Sequence, residues 1–312
     1  PSAALTVLKD GGNAMDAALA ACAVQAVVEP ASTGIGGDCF CLYAPADSPD
    51  IIAINGSGRA PQALNTELLL SQGITKIEQQ SAHSVTVPTA VDAWVQLNRD
   101  YGTMPLADLL QPAIGYADDG FPVAQRSAFD FAGCLALLKG DADASDVFLK
   151  AGQTYQMGEI LRQPALAKTL REIAEKGRAG FYEGWVADDL LAKLNGLGGL
   201  HTADDLAMAR ADYVTPISTN FRGYDIFECP PNGQGMIALL LLNMAAGMDV
   251  SDGPLSISRI HHEIEAGRLA YRDRSAYLAD PAFSAVPVDE ILDPAYADKV
   301  RAQIDPASAF AD

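Results

Sequence analysis

Apolar residues recur at helical spacing over residues 3–9, and Gly11 with Gly12 then offers a stop just beyond a helix C-terminus. Asn13 is suited to cap the next helix, with Asp16 placing negative charge against the positive end of its dipole. The run AMDAALAACAVQAVV that follows is apolar on nearly every side, which predicts a helix held in an interior layer. Glu29 and Pro30 end it, because proline has no N–H to donate and pushes the residue before it out of the helical region. The loop STGIGGD comes next. Its Gly34, Gly36 and Gly37 predict backbone at positive φ or in close approach to another group, as the wall of a site would require.

Strand-like alternation then takes over. Residues 39–44 (CFCLYA) and 51–55 (IIAIN) read as a hairpin pair across the polar turn PADSPD, and residues 84–88 (SVTVP) as a further short strand or extended entry. Helical spacing returns at 90–99 and 106–119, on either side of YGTMP, and again at 128–139, 163–176 and 186–194. Thr202 with Asp205 has the form of a helix cap and its acidic partner. Residues 217–221 and 224–229 alternate as strands around Arg222-Gly223, and PPNGQG leads into the buried helix GMIALLLLNMAAGM. Residues 260–279 predict a long amphipathic helix with its charges along one side. The pattern is one of layered α and β, without a repeat, low-complexity segment or interdomain linker.

Composition narrows the partners more than the chemistry. A formal charge of −19 over 312 residues would repel a nucleic-acid backbone or an anionic membrane surface, so neither is expected as a partner. No apolar run reaches the length of a membrane span. The expected location is cytoplasmic rather than periplasmic, with any leader outside what a sequence starting at Pro1 displays. Cys22, Cys39, Cys41, Cys134 and Cys229 are odd in number and irregular in spacing, which predicts buried free thiols rather than disulfides or a zinc site. Cys39 and Cys41 would share one strand face.

Several tempting motifs fail on spacing. Gly34 and Gly36 follow a helix and precede a strand, the reverse of a dinucleotide fingerprint, so no cofactor is expected. His261, His262 and Glu265 invite a metal reading, but adjacent helical residues point about 100° apart and the H-E-x-x-H spacing is missing. Hydrogen-bonded or solvated roles are expected there, and no metal. The helix start at Asn232 to Gly235 offers N–H groups to a carboxylate; the alternative is a structural turn. G-x-S-x-G is missing too, Ser57 lying in NGSGR, and none of His83, His201, His261 and His262 adjoins a nucleophile signature. As a catalyst the chain reads as incomplete.

The runs DGGNAMDAALAACAVQAVVEPASTGIGGDCFCLY, HSVTVPTAVDAW, YGTMPLADLLQPAIGYADDGFPV, FRGYDIFECPPNGQG and RLAYRDRSAYLADPAF together resemble the gamma-glutamyltransferase family, in the family's order. That resemblance implies an N-terminal nucleophile hydrolase, made as one precursor that cuts itself in two. The fold class it implies is α/β (α+β), a four-layer αββα sandwich in which residues 1–312 are the large subunit, one domain completed by a small subunit. The catalytic residue would then be a threonine opening the small subunit, shortly after IDPASAFAD, with none in this chain.

The resemblance also implies where the family's specificity changes. In glutathione-cleaving members an arginine at the position of Ser57 binds the α-carboxylate of the γ-glutamyl group, a charge that serine lacks. The GSGRAP and PPNGQG forms resemble a side branch with oxamate amidohydrolases and proteins named cephalosporin acylases. Arg59 projects to the same face as Ser57 if the segment is extended, and would return a guanidinium to the pocket; the alternative is a surface arginine. Ser57 and Arg59 are thus the candidate substrate-binding residues. The expected function is hydrolysis of a small amide or acyl amide. Its rivals are a true γ-glutamyl transpeptidase and a non-catalytic protein binding small acids at the Gly34–Gly37 loop and the helix start after Gly235.

Overall fold

The computed structural model describes residues 1–46, 48–249 and 253–310 of a mixed α/β chain. Asp47, in the expected PADSPD turn, lies outside the described residues. The chain divides into two compact units, each assembled from two stretches of sequence: Pro1–Cys39 with Gly56–Ala211, and Phe40–Asn55 with Asp212–Asp312.

In the first unit the short helix Ser2–Lys9 is followed by Gly11 at φ +95°, as its glycine pair implied. The helix Ala14–Val28 starts on a complete capping box. The Asn13 side chain accepts the Asp16 N–H at 3.0 Å, and Asp16 accepts the Asn13 N–H at 2.9 Å. Asp16 is fully buried and does more than cap, because its carboxylate also takes the N–H and hydroxyl of Thr103 at 3.0 and 2.6 Å. Ala20, Ala23 and Val27 on this helix are buried, and small side chains let Leu106–Asp119 pack closely against it. Pro164–Lys176 packs on the far side through Ala167, Leu170 and Ile173. Where one helix was expected over 128–139 there are two, Gln125–Gly133 and Leu135–Lys139, because Cys134 leaves helical geometry with ψ at 5°. Residues 85–88 join no sheet; they follow a single 3₁₀ turn at Ala82–Ser84, with Val85 extended at its end.

In the second unit, Cys39–Tyr43 and Ile52–Gly56 lie side by side as expected, and Asp212–Val214 adds a third strand antiparallel to the second, Ile54 opposite Tyr213. Ile217–Phe221 and Tyr224–Glu228 form the predicted hairpin, with Arg222 and Gly223 at φ +53° and +90° in the tight turn. The core forms where the apolar helix Gly235–Ala246 meets Ile257–Tyr277 and the C-terminal helices, with Met236, Leu240, Leu269, Ile291 and Val300 buried together. The long helix departs from expectation: Ile257, Ile260, Ile264 and Tyr271 are exposed, and part of its polar face turns inward. Of the five cysteines none is in a disulfide, and only Cys229 is buried, Cys22 being exposed. Cys39 and Cys41 do share a strand face. Among the described residues no helix is long and apolar enough to cross a membrane.

Candidate functional site

In the first unit, three stretches singled out by the sequence meet around Gly56–Arg59. Gly56 ends its strand where a side chain would come within 2.8 Å of the Cys39 carbonyl oxygen, so only glycine fits. Its own carbonyl oxygen accepts the Thr89 hydroxyl. Gly58 sits at φ +73°, and a Cβ there would overlap the Val87 carbonyl oxygen. The Val87 N–H donates to the Arg59 carbonyl oxygen at 2.8 Å, and Thr86 Oγ1 approaches that of Ser57 at 3.5 Å. Gly37 closes the group, its carbonyl oxygen accepting the N–H groups of Thr89 and Ala90, both at 3.1 Å. The first turn of the helix Ala90–Tyr101 is thereby tied to the glycine loop rather than left open to an anion.

The need for glycine lies at a different place from the one expected. Gly34, Gly36 and Gly37 all avoid the left-handed region, and a Cβ on any of them would meet nothing within 4 Å among the described residues. The conformational demand falls on Gly58 instead. With Gly58 left-handed, the Ser57–Arg59 segment is not extended, so strand alternation does not put the two side chains on one face. The structure holds them on one rigid loop, Ser57 half-buried and Arg59 exposed.

His201 supports this loop from behind and was not anticipated, since an isolated histidine leaves no spacing signal. It is 2% exposed, and its Nε2–H donates to the Val85 carbonyl oxygen at 3.0 Å, two residues before the Val87 contact. Nδ1 is buried with no hydrogen-bond partner among the described residues. Burial holds the imidazole neutral by pushing its pKa below the ordinary value, against the opposing pull of the Val85 bond and of Asp205.

The second unit has a cavity of about 290 Å³ at the start of the helix Gly235–Ala246, lined by Phe40, Leu42, Glu228, Cys229 and Gln234 among others. Here the chain supplies its own anion. A Cβ on Gly235 would lie 3.0 Å from Glu228 Oε2, so an incoming carboxylate would meet Glu228 as well as the helix start. Asn232 is engaged by Asn55, whose amide donates to its Oδ1 at 2.9 Å. Within this unit the Asn232–Gly235 turn is thus held at Asn232 and faced by Glu228. Burial, with Glu228 and Cys41 nearby, pushes the Cys229 thiol up to about 11, which keeps it protonated and poorly nucleophilic at neutral pH.

The histidines of the long helix are hydrogen-bonded: His261 Nε2–H donates to the Asp305 carbonyl oxygen and His262 Nδ1–H to that of Ser258, both at 2.8 Å. Glu265 is 2% exposed and accepts the Phe310 N–H at 2.6 Å. Among the described residues no group of three or more His, Cys, Asp or Glu side chains is arranged to hold a metal.

Residues 2–312 match the family model described as gamma-glutamyltranspeptidase. Over 302 residues the chain is 37% identical to the glutathione hydrolase-like YwrD proenzyme of Bacillus subtilis, covering 96% of this chain and 57% of that protein. It is 35% identical over 312 residues to the oxamate amidohydrolase proenzyme of Klebsiella pneumoniae, covering 98% and 58%. Among solved structures, cephalosporin acylase from Bacillus halodurans is similar with a TM-score of 0.91 at 38% identity, covering 97% of this chain and 57% of that one. The expected α/β fold class is borne out by that similarity, and the chain spans little more than half the length of these relatives.

Proposed function

This chain belongs to the gamma-glutamyltranspeptidase family, and from that premise we propose that it is the large-subunit part of an amide hydrolase whose nucleophilic threonine lies on a companion subunit cut from the same precursor. The word proenzyme in the relatives' names and the shared half of their length support a two-part protein. In this reading the threonine hydroxyl adds to the amide carbonyl while the threonine α-amine takes its proton. The substrate's amine leaves with that proton, and water then cleaves the acyl ester to release the acid. The large chain shapes one wall of the pocket.

The substrate class rests on one observation, the locked Gly56–Arg59 loop with a neutral, half-buried serine at position 57. A hydroxyl gives a carboxylate one neutral hydrogen bond, whereas a guanidinium gives two parallel charge-assisted ones. Ser57 therefore favours small amides or acyl amides over compounds carrying the free α-amino acid end of a γ-glutamyl group. The transpeptidase reading draws on the family's own description and on Arg59, exposed on the same loop.

The test is made on protein expressed from the full gene. kcat/KM is compared between small acyl amides and glutathione or a γ-glutamyl anilide, with and without glycylglycine as acceptor. Small amides are expected to be the better substrates. Equal or better turnover of γ-glutamyl compounds removes the side-branch assignment, and release stimulated by glycylglycine favours the transpeptidase. A single unprocessed band that binds small acids without turnover would establish the non-catalytic alternative.

A further inference from the structure

His261, Glu265, Arg268 and Arg272 recur at intervals of four, three and four along the helix Ile257–Tyr277, which puts them on one face. A helix face turned inward is ordinarily apolar, and this helix leaves isoleucines outside while directing His261, Glu265 and Arg272 at a single irregular segment, residues 303–310. His261 holds the Asp305 carbonyl oxygen, and Arg272 Nη1 donates to Gln303 Oε1 at 2.8 Å. The Arg272 guanidinium also lies 5.9 Å from the centre of the Phe310 ring. Glu265 accepts the Phe310 N–H through Oε2, while Arg268 Nη1 approaches its Oε1 at 3.5 Å.

The segment is shaped to be held. Asp305 closes its turn by accepting the Ala307 N–H at 2.8 Å and the Ser308 hydroxyl at 2.7 Å, and Ile304 and Phe310 pack on the core of the second unit. Burying a carboxylate is unfavourable unless its hydrogen bonds are satisfied, and a leucine at 265 would fill the same space without that cost. What Glu265 adds is direction, since one acceptor oxygen fixes one backbone N–H and so the register of the segment.

We propose that this polar stripe is a clamp that fixes the course of residues 303–310 in the precursor, and so positions the stretch of chain leading to the self-cleaved junction. Glu265 and His261 are positioning residues for maturation rather than for turnover. The inference rests on the reading of the protein as a self-cleaving precursor, in which the companion subunit follows this segment.

The experiment follows conversion of the full-length precursor into two chains on denaturing gels, for wild type, Glu265→Ala, Glu265→Gln, His261→Ala and the surface control Glu263→Ala. Losing one charge-assisted hydrogen bond to the aligned segment should slow conversion roughly tenfold in Glu265→Ala. Glu265→Gln, which keeps an acceptor oxygen, should recover part of that rate, and His261→Ala should be slowed less. Once converted, each variant should turn over substrate with kcat and KM within about twofold of wild type. Unaltered conversion in Glu265→Ala, or a parallel loss of conversion, kcat and melting temperature, overturns the clamp. If the wild-type precursor itself never converts, the self-cleaving reading fails first and the clamp falls with it.

Discussion

Replacing Gly58 with alanine tests the loop that carries the substrate reading. At φ +73° an L-residue adopts left-handed backbone at a cost of about 1–2 kcal/mol. The new Cβ would also overlap the Val87 carbonyl oxygen and come within 3.2 Å of Thr86 Oγ1. Either the loop or residues 86–87 must move, which breaks the 2.8 Å bond from Val87 N–H to the Arg59 carbonyl oxygen and adds about 1 kcal/mol. The expected loss is thus about 2–3 kcal/mol, read as a lower urea midpoint at unchanged slope. Gly36→Ala is the matched control. Its φ is not left-handed and its Cβ would touch nothing, so stability should hold or rise by up to about 1 kcal/mol through the unfolded chain. Activity should follow the same division, kcat/KM falling with Gly58→Ala and not with Gly36→Ala, because only the first displaces Ser57 and Arg59. Unfolding free energies for the two variants within about 0.5 kcal/mol of each other would refute the claim that Gly58, rather than the upstream glycine loop, sets this backbone.

Arg59→Ala and Arg59→Lys should each lower kcat/KM for an anionic substrate by roughly thirtyfold or more and change a neutral amide far less, if the guanidinium forms a forked, partly desolvated pair. Equal effects on both substrates would return Arg59 to a surface role. Asp16→Ala should cost about 1–3 kcal/mol, because it removes the buried acceptor of the Asn13 N–H and of the N–H and hydroxyl of Thr103; a loss under about 0.5 kcal/mol in urea melts would contradict that. His201 has its pKa lowered by burial, so the unfolded chain binds the proton first. Its contribution to stability is complete above about pH 6.5 and is lost as pH falls from there through the lower folded value. Wild type should therefore lose more stability between pH 7 and 5 than His201→Gln, which keeps an N–H for Val85, and identical pH dependence in the two would exclude His201 as the cause.

The parts of this protein that the sequence determined by itself are those closed within a few residues. Asn13 with Asp16 and Thr202 with Asp205 form complete capping boxes, and Arg222-Gly223 makes its tight turn, because each partner pair is three or fewer residues apart. The helix over residues 106–119 has the bounds its periodicity gave, since a repeating apolar face and a following glycine are both local signals. Tertiary structure decided whatever depends on which distant segment arrives alongside. Asp212–Val214 joins the strand at Ile52–Gly56 from more than 150 residues away, and no pattern within either strand names that partner. The need for glycine fell on Gly58 rather than on Gly34, Gly36 and Gly37 because the Val87 backbone passes against it, a contact that only the packed chain creates. The polar groups of the long helix turned inward for the same reason: His261 and Glu265 are 44 and 45 residues from Asp305 and Phe310, the groups they hold. Hydrophobic spacing records which side of a helix avoids water on average, and it cannot register a buried carboxylate whose burial is made tolerable by one particular backbone N–H.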